Sequence, residues 1–439
     1  MPAEWPEFKI GQLAAPLRNA LVGGPFGSNL VSSDYVDAGV PVIRGQNMGG
    51  RWVSGEFAFV TEQKAQSLEG NIARPGDIMF TQRGTLGQVS VVPVGQHDRY
   101  LVSQSQMKLT VDPSLADPLF VYYVFSTAEQ KEYIQQNAIQ TGVPHTNLGI
   151  LRNTPVPLPP LPEQRTIVRI LGTLDDKIEL NRRMNETLEA MARALFQSWF
   201  VDFDPVRVIG EGRALHLSAQ LADLFPRSFE GSELGDIPTG WVAGTLASIA
   251  NLNPEAWYRE TRPAAIRYVD LSNTKWGRIE AVTPHSREDA PSRAQRVLRP
   301  GDSIVGTVRP GNGSYAFVSE EGLTGSTGFA VLRPKQPSYA EFVYLAATAR
   351  ENIDALAHLA DGGAYPAVRP EVVMATPIAK PPDEILAAFS RLTKPWFEKC
   401  SVNHREADTL AALRDTLLPK LISGELRVKD AERFVVDNS

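Results

Sequence analysis

Residues 159–200 read PPLPEQRTIVRILGTLDDKIELNRRMNETLEAMARALFQSWF, and this stretch decides the fold. Apolar or core-compatible residues fall at Ile167, Leu171, Leu174, Ile178, Asn181, Asn185, Leu188, Ala192, Leu195 and Trp199. Their spacing alternates four-residue and three-residue steps, the period of a coiled-coil seam. Pro162 suits the first turn of a helix, where its missing N–H costs nothing, and Glu163 suits the positive end of the helix dipole. No Gly or Pro interrupts the pattern from Thr173 to Phe200. A helix from Pro162 to Phe200 would be about 57 Å long, too long for an ordinary core helix.

The pattern returns 222 residues later, at Phe389, Thr393, Trp396, Cys400, Asn403, Ala407, Leu410, Arg414, Leu417 and Leu421, again with Asn at one seam position. A seam needs a partner, and the copy is held in the same chain. The expectation is antiparallel pairing through Leu171, Leu174, Ile178, Asn181, Leu188, Leu195 and Trp199 on one helix and Trp396, Asn403, Leu410 and Leu417 on the other. Two unrelated amphipathic helices on separate cores are the competing reading.

Working outward, residues 1–158 form a first mixed domain. Short β-rich runs such as Val40-Pro41-Val42-Ile43, Asp77-Ile78-Met79-Phe80 and Val89-Ser90-Val91-Val92 lie between Gly, Pro, Asn and Asp clusters, and Pro118 opens a helical segment reaching about Asn137. A second domain repeats the outline. Arg74-Pro75-Gly76-Asp77 recurs as Arg299-Pro300-Gly301-Asp302, Ser103-Gln104-Ser105-Gln106 has a rough counterpart in Gly325-Ser326-Thr327-Gly328, and Thr154-Pro155-Val156 returns as Thr376-Pro377-Ile378. Internal duplication accounts for this order. The expected organisation is domain 1 at 1–158, helix 1 at 159–202, a connector and domain 2 at 203–380, helix 2 at 381–426 and a tail at 427–439. The fold class is α+β, two mixed domains joined by paired helices in a pseudo-two-fold repeat, which suits a target with two halves.

With 439 residues and 43% hydrophobic content, the chain can bury two or three cores. Its net charge of −6 does not favour nucleic acid, although acidic residues can lie away from a local basic face. No apolar run is long enough for a membrane span and no leader is evident, which points to the cytoplasm. The single Cys400 excludes an internal disulfide, and its seam position suits a buried small hydrophobe better than a nucleophile.

No phosphate loop, dinucleotide fingerprint, H-E-x-x-H motif or paired zinc cysteines occur in the sequence. Asp202 and Asp204 lie before Pro205 and suit a helix terminus better than a metal couple. The expectation is therefore no catalytic residue, no metal and no cofactor. The loops after the strands instead carry side chains that read base edges: Arg44, Gln46 and Asn47; Gln82, Arg83 and Thr85; Gln104 and Gln106. Arg pairs with guanine, and Asn or Gln with adenine. His145, beside a Gly-Val-Pro turn, suits loop hydrogen bonding better than acid–base work, and its loop joins this set. The second copy offers Asn273, Arg309, Asn312, Ser314 and Thr327 in matching loops.

Gly24-Pro25-Phe26-Gly27-Ser28, with Asp34-Tyr35 and Gly39-Val40-Pro41-Val42-Ile43-Arg44 after it, resembles the opening of a target-recognition domain in type I restriction-modification specificity subunits. The Pro159–Ile167 stretch, Ser198-Trp199-Phe200-Val201-Asp202-Phe203-Asp204-Pro205-Val206 and Leu418-Pro419-Lys420-Leu421-Ile422-Ser423-Gly424-Glu425-Leu426 are similar to that family's helix boundaries. The second domain departs in lacking a Gly-Pro-Phe-Gly-Ser counterpart, and Leu386 stands where Gln164 stands in the first helix. The resemblance implies a non-catalytic subunit whose two domains each read half of a split double-stranded DNA sequence. It further implies helices that dock two methyltransferase subunits carrying S-adenosylmethionine, and restriction subunits that join them. A free-standing methyltransferase or nuclease, and a scaffold that never touches DNA, are the alternatives.

Overall fold

The computed structural model describes residues 5–140, 144–213, 218–258, 260–360, 363 and 366–428. The expected loop residues 141–143 lie outside it. Its longest elements are two 40-residue helices, Leu161–Phe200 and Asp383–Ile422. Pro162 occupies the first turn as its chemistry predicts. Pro395 lies inside the second helix, which continues through it, although its ring removes one backbone donor.

The chain divides into two compact units, one formed by residues up to Glu179 with those from Ala407 onward, the other by Leu180–Glu406. In the first unit, Leu171 and Leu174 near the start of helix 1 share a core with Leu417 and Leu421 near the end of helix 2. In the second, Phe196, Trp199 and Phe200 near the end of helix 1 pack on Phe389 near the start of helix 2. The helices are therefore antiparallel in both units. Ile178, Leu188, Leu195, Trp396 and Leu410 are half-buried along the seam.

Near the middle, within the second unit, the seam turns polar. Asn403 donates to Asn185 Oδ1 at 2.8 Å, Asn185 donates to the Cys400 carbonyl at 3.2 Å, and Asn181 donates to Glu406 at 2.8 Å. Cys400 Sγ lies 3.9 Å from the Asn185 carbonyl, and burial pushes its thiol up to about 12. Because Asn403 is fully buried, Asn403→Leu should cost about 1–3 kcal/mol by leaving the Asn185 acceptor dry and unpaired. Converting both Asn185 and Asn403 to Leu should recover most of that loss and loosen the register. Urea titration of the three proteins checks this; a single mutant as stable as wild type would refute it.

Each unit carries the same sheet plan. The first has a four-stranded sheet in the order Leu21–Gly23, Gln106–Leu109, Ile78–Thr81, Val89–Val91. The second repeats it as Ala250–Leu252, Phe329–Pro334, Ser303–Gly306, Tyr315–Phe317. A mixed sheet accompanies each, with one parallel pair, Val40–Ile43 beside Tyr100–Val102 and Ala265–Val269 beside Leu323–Ser326. A small ribbon closes each domain onto its helix, Glu7–Lys9 with Pro155–Pro157 and Val242–Thr245 with Pro377–Lys380. Strand pairing thus aligns the opening of the second domain, which lacks the Gly-Pro-Phe-Gly-Ser sequence.

The recurring Arg-Pro-Gly-Asp is a turn with a buried charge. Gly76 and Gly301 both have φ near +90°, which a residue with a Cβ rarely adopts. The Asp77 carboxylate accepts from Arg74 N at 2.8 Å, from Thr110 at 2.6 Å and from Lys108 Nζ at 3.3 Å. Asp302 accepts from Arg299 N and from Arg333 Nε, both at 2.9 Å. Sequence thereby fixes a turn and a strand-to-strand ion pair together.

Two expectations need correction. The helical segment after Pro118 is two helices, Pro118–Ser126 and Ala128–Gln136, because Thr127 turns extended and its hydroxyl caps the second by accepting from Gln130 N at 3.2 Å. The apolar-to-polar switch at Thr127 hid a cap. After Phe200 the chain turns through Phe203 at φ 55° into a new helix, Asp204–Gly210, so Asp204 opens a helix; Asp202 accepts from Gln197 at 3.0 Å.

Candidate nucleic-acid interface

The predicted reading loops of the first domain converge because their backbones are tied together. Gln82 N and Arg83 N both donate to the Ser105 carbonyl, at 2.7 and 3.3 Å, and Thr146 N donates to the Gln82 carbonyl at 3.0 Å. Ser103 N donates to the Ile43 carbonyl at 3.1 Å, bringing residues 44–47 alongside. Arg44, Gly45 and residues 103–105 line a cleft of about 450 Å3 with Gly27, Leu30, Val31, Ser32 and Tyr35. The buried Arg44 Nε has no hydrogen-bond partner, so part of this cation's donor capacity is unspent inside the protein.

The loop side chains divide by exposure. Gln46, Arg83, Thr85 and Gln104 are exposed, while Arg44, Gln82 and His145 are half-buried. His145 pairs by its backbone with Ile139 and bridges to Arg83. Asn47 and Gln106 are turned inward. Asn47 is buried, accepts from Arg44 N, and donates to the Ser54 and Glu56 carbonyls, all at 3.0 Å. Gln106 is buried and accepts from the Ser103 hydroxyl. These two shape the loops rather than reach out of them. Gln104 Nε2 donates to the Gly27 and Leu30 carbonyls, at 2.6 and 2.8 Å.

The second domain brings the matching loops together by the same bonds. Thr307 N donates to the Gly328 carbonyl at 2.8 Å, and Val368 N to the Thr307 carbonyl at 2.9 Å. These copy the bonds of Gln82 and Thr146, so Thr307 matches Gln82 and Val308 matches Arg83. Arg309, left-handed at φ 48°, therefore stands where Gly84 stands, one residue past Arg83. The same register moves the counterpart of residues 103–106 to 326–329, one residue later than the sequence comparison places it. Arg309 and Asn312 are exposed, Asn273 and Thr327 half-buried, and Ser314 is buried with its hydroxyl donating to the Leu271 carbonyl at 3.0 Å. Where domain 1 has Arg44, domain 2 has Asp270, which accepts from the Tyr268 hydroxyl at 2.8 Å and lies 3.5 Å from Arg293. The position thus holds a cation in the first domain and an ion-paired carboxylate in the second.

Each domain also grips its helices through a tyrosine that sequence reasoning missed. Tyr123 donates to Asp175 at 2.8 Å, and Arg414 donates to the same carboxylate at 2.9 Å. In the second unit Tyr344 is 3.3 Å from Glu189, which also takes Arg193 at 2.6 Å. Burial is the main cause raising the ionisation of both phenols, and the adjacent carboxylates add to it. The recurrence of Tyr at 123 and 344, close to the repeat offset, was the available signal. Gln164 explains its own uniqueness: it accepts from Asp117 N at 2.9 Å and donates to the Leu115 and Pro159 carbonyls, whereas Leu386 fills an apolar core.

Among the described residues no group of three or more His, Cys, Asp or Glu could hold a metal, and no helix is long and apolar enough to cross a membrane.

Residues 2–190 match the type I restriction modification DNA specificity domain. The chain is 24% identical over 435 residues to the type I restriction enzyme MjaIX specificity subunit of Methanocaldococcus jannaschii, covering 98% of this chain and 95% of that one. It is also 24% identical to the HindI specificity subunit of Haemophilus influenzae, covering 97% of this chain and all of the relative. In fold it is similar to the crystal structure of a type I restriction-modification S subunit from M. genitalium, with TM-score 0.57 and 17% identity over 95% of this chain and 96% of that one. Residues 2–190 thus match the DNA specificity domain, and over nearly its whole length the chain is similar to type I restriction enzyme specificity subunits.

Proposed function

We propose that this chain is the non-catalytic, DNA-reading subunit of a type I restriction-modification complex, each domain reading one half of a bipartite double-stranded target. The observation that carries this reading is the repetition, in two units, of one sheet plan that ties corresponding polar loops together by corresponding backbone bonds. A split target needs two readers built alike and differing in side chains, and Arg44 against Asp270 is such a difference. The paired helices dock two methyltransferase subunits and set the spacer between half-sites. Those subunits supply S-adenosylmethionine and help to neutralise phosphates, which accommodates a net charge of −6 in this chain. Restriction subunits complete the assembly in the cytoplasm.

Arg83→Ala and Arg309→Ala test the reading. Each should cost about 1–3 kcal/mol of specific binding by the complex with its methyltransferase partner. A base contact relaxes preference at one position, whereas a phosphate contact weakens all sequences alike. Since Arg309 stands one residue out of register with Arg83, the two should affect different positions within their half-sites. Gel-shift titration against single-position variants of the target measures both. Specific affinity within about 0.5 kcal/mol of wild type in both mutants removes these loops from the interface.

A further inference from the structure

The Gly24–Asn29 loop carries the family resemblance, yet it holds none of the predicted reading side chains. Phe26, at its tip, is 79% exposed. A lone exposed apolar residue is ordinary, but this one is held out by construction. Gly24 N donates to the Gln106 carbonyl at 2.9 Å, and a Cβ on Gly24 would fall 1.9 Å from the Ser103 carbonyl oxygen. The loop is therefore pressed against residues 103–106, and only glycine permits the approach. Beyond Phe26, Gly27 takes a left-handed φ of 57°, and Gln104 clasps the Gly27 and Leu30 carbonyls. Phe26 thus stands on a braced turn, next to a cleft whose only charged lining residue is Arg44.

The second domain repeats the placement without the sequence. Its loop after Ala250–Leu252 presents Tyr258, 71% exposed, between Trp257, whose N donates to the Gln295 carbonyl at 2.7 Å, and Thr261, whose hydroxyl accepts from Tyr258 N at 3.0 Å. Each reading domain therefore offers one aromatic ring to solvent from the corresponding loop.

We propose that Phe26 is a wedge that inserts its ring against a base-pair step of duplex DNA, so that the first domain reads the deformability of that step as well as base edges. This rests on the reading of the chain as a DNA specificity subunit. A rigid apolar side chain beside a cation suits such insertion, since the ring stacks on an opened step while the guanidinium of Arg44 holds the adjacent backbone or base edge. The bracing has a purpose in this role, because a ring already held out loses little freedom on contact. A protein partner could also cover an exposed ring; DNA is favoured because the loop is bonded to the predicted reading loop and shares its cleft.

The test uses the whole complex with its methyltransferase partner and the target defined by methylome sequencing. Duplexes carry 2-aminopurine, one position at a time, across the half-site assigned to domain 1. Wild type should raise fluorescence at one step. Phe26→Ser should abolish that rise and weaken binding to the target about tenfold, while Phe26→Leu, still an apolar wedge, should keep both. The proposal is overturned if no step brightens, or if Phe26→Ser binds within about twofold of wild type while wild type still discriminates its target. It is equally overturned if Phe26→Ser loses the methyltransferase subunit in a pull-down, since the ring is then a protein contact. Failure of the wild-type complex to prefer its target over a scrambled duplex would instead remove the underlying reading, and the wedge with it.

Discussion

Asp77→Ala should destabilise the first domain by about 3–5 kcal/mol, and Asp302→Ala the second domain by clearly less, although both acids occupy the same turn. Both are almost completely buried, and both close an Arg-Pro-Gly-Asp turn on a backbone N–H. What differs is the cation left behind. Lys108 is buried, and besides Asp77 its ammonium reaches, among the described residues, only the Thr110 hydroxyl, at 3.5 Å. Removing Asp77 strands a charge in a dry sheet, the costly way to break a buried pair. Arg333 is also bonded to Glu255, which Arg299 shares at 2.8 Å, so losing Asp302 leaves it a counter-charge; about 2–3 kcal/mol is expected. The Arg299 and Arg333 guanidiniums hold the Glu255 carboxyl below its usual range, so this second counter-charge is ionised at neutral pH. The double change Asp77→Leu, Lys108→Met should restore much of the first loss by replacing ions with apolar packing. Hydrogen exchange of the Ile78–Thr81 and Ser303–Gly306 amides reads the two domains separately in the full chain. Equal losses at the two sites would show that the surrounding ion network does not govern the cost.

Grafting another specificity domain over residues 1–158 should change one half of the methylated sequence completely and leave the other half as it was. The argument is energetic as much as topological. The first domain's core is its own apart from Ile167, Ile170, Leu171 and Leu174 of helix 1, Leu417, Leu418, Leu421 and Ile422 of helix 2, and Val428 beyond it. A donor that fits these apolar positions should fold onto the existing helices. It must also supply a tyrosine hydroxyl at the place of Tyr123, because Asp175 otherwise keeps only Arg414, and a free backbone N–H at the place of Asp117, before the helix Pro118–Ser126, for Gln164 to accept from. Hybrids without these groups should be recovered in lower yield without any change in which half-site they read. Methylome sequencing of cells carrying the hybrid with the methyltransferase partner measures the outcome; a change in both halves would show that the domains are not independent readers.

Much of this architecture is legible in the chain because it depends on periodicity and on backbone chemistry. The four-three spacing from Ile167 to Trp199 specifies a helix face whatever its partner. Pro-Gly followed by Asp specifies a turn with a carboxylate at its base, and its recurrence marks the duplication. The polar loops are less legible for a physical reason. Asn47, Gln106 and Ser314 have the same composition as the exposed residues beside them, and only the three-dimensional course of each loop decides whether an amide faces solvent or a carbonyl. Register slips for a related reason: Arg309 matches Arg83 when residues are counted, but pairing of Ser303–Gly306 with Phe329–Pro334 fixes the alignment one residue away. The split at Thr127 was legible in principle, since a threonine between an apolar run and a polar run is a capping residue.

Cys400 has a practical consequence for the experiments that these readings call for. It is the chain's only cysteine, and its thiol, pushed up to about 12 and held in the helix seam, is almost wholly protonated at neutral pH. The thiolate, not the thiol, is the nucleophile that attacks thiol reagents. A second cysteine placed on an exposed loop, at Thr85 or Asn312, would react with a maleimide dye far ahead of the native one, so single-site fluorophores can be attached without mutating the seam. The chain comes with a silent background for site-specific labelling, and the motions of each reading loop on DNA can be followed in otherwise unaltered protein.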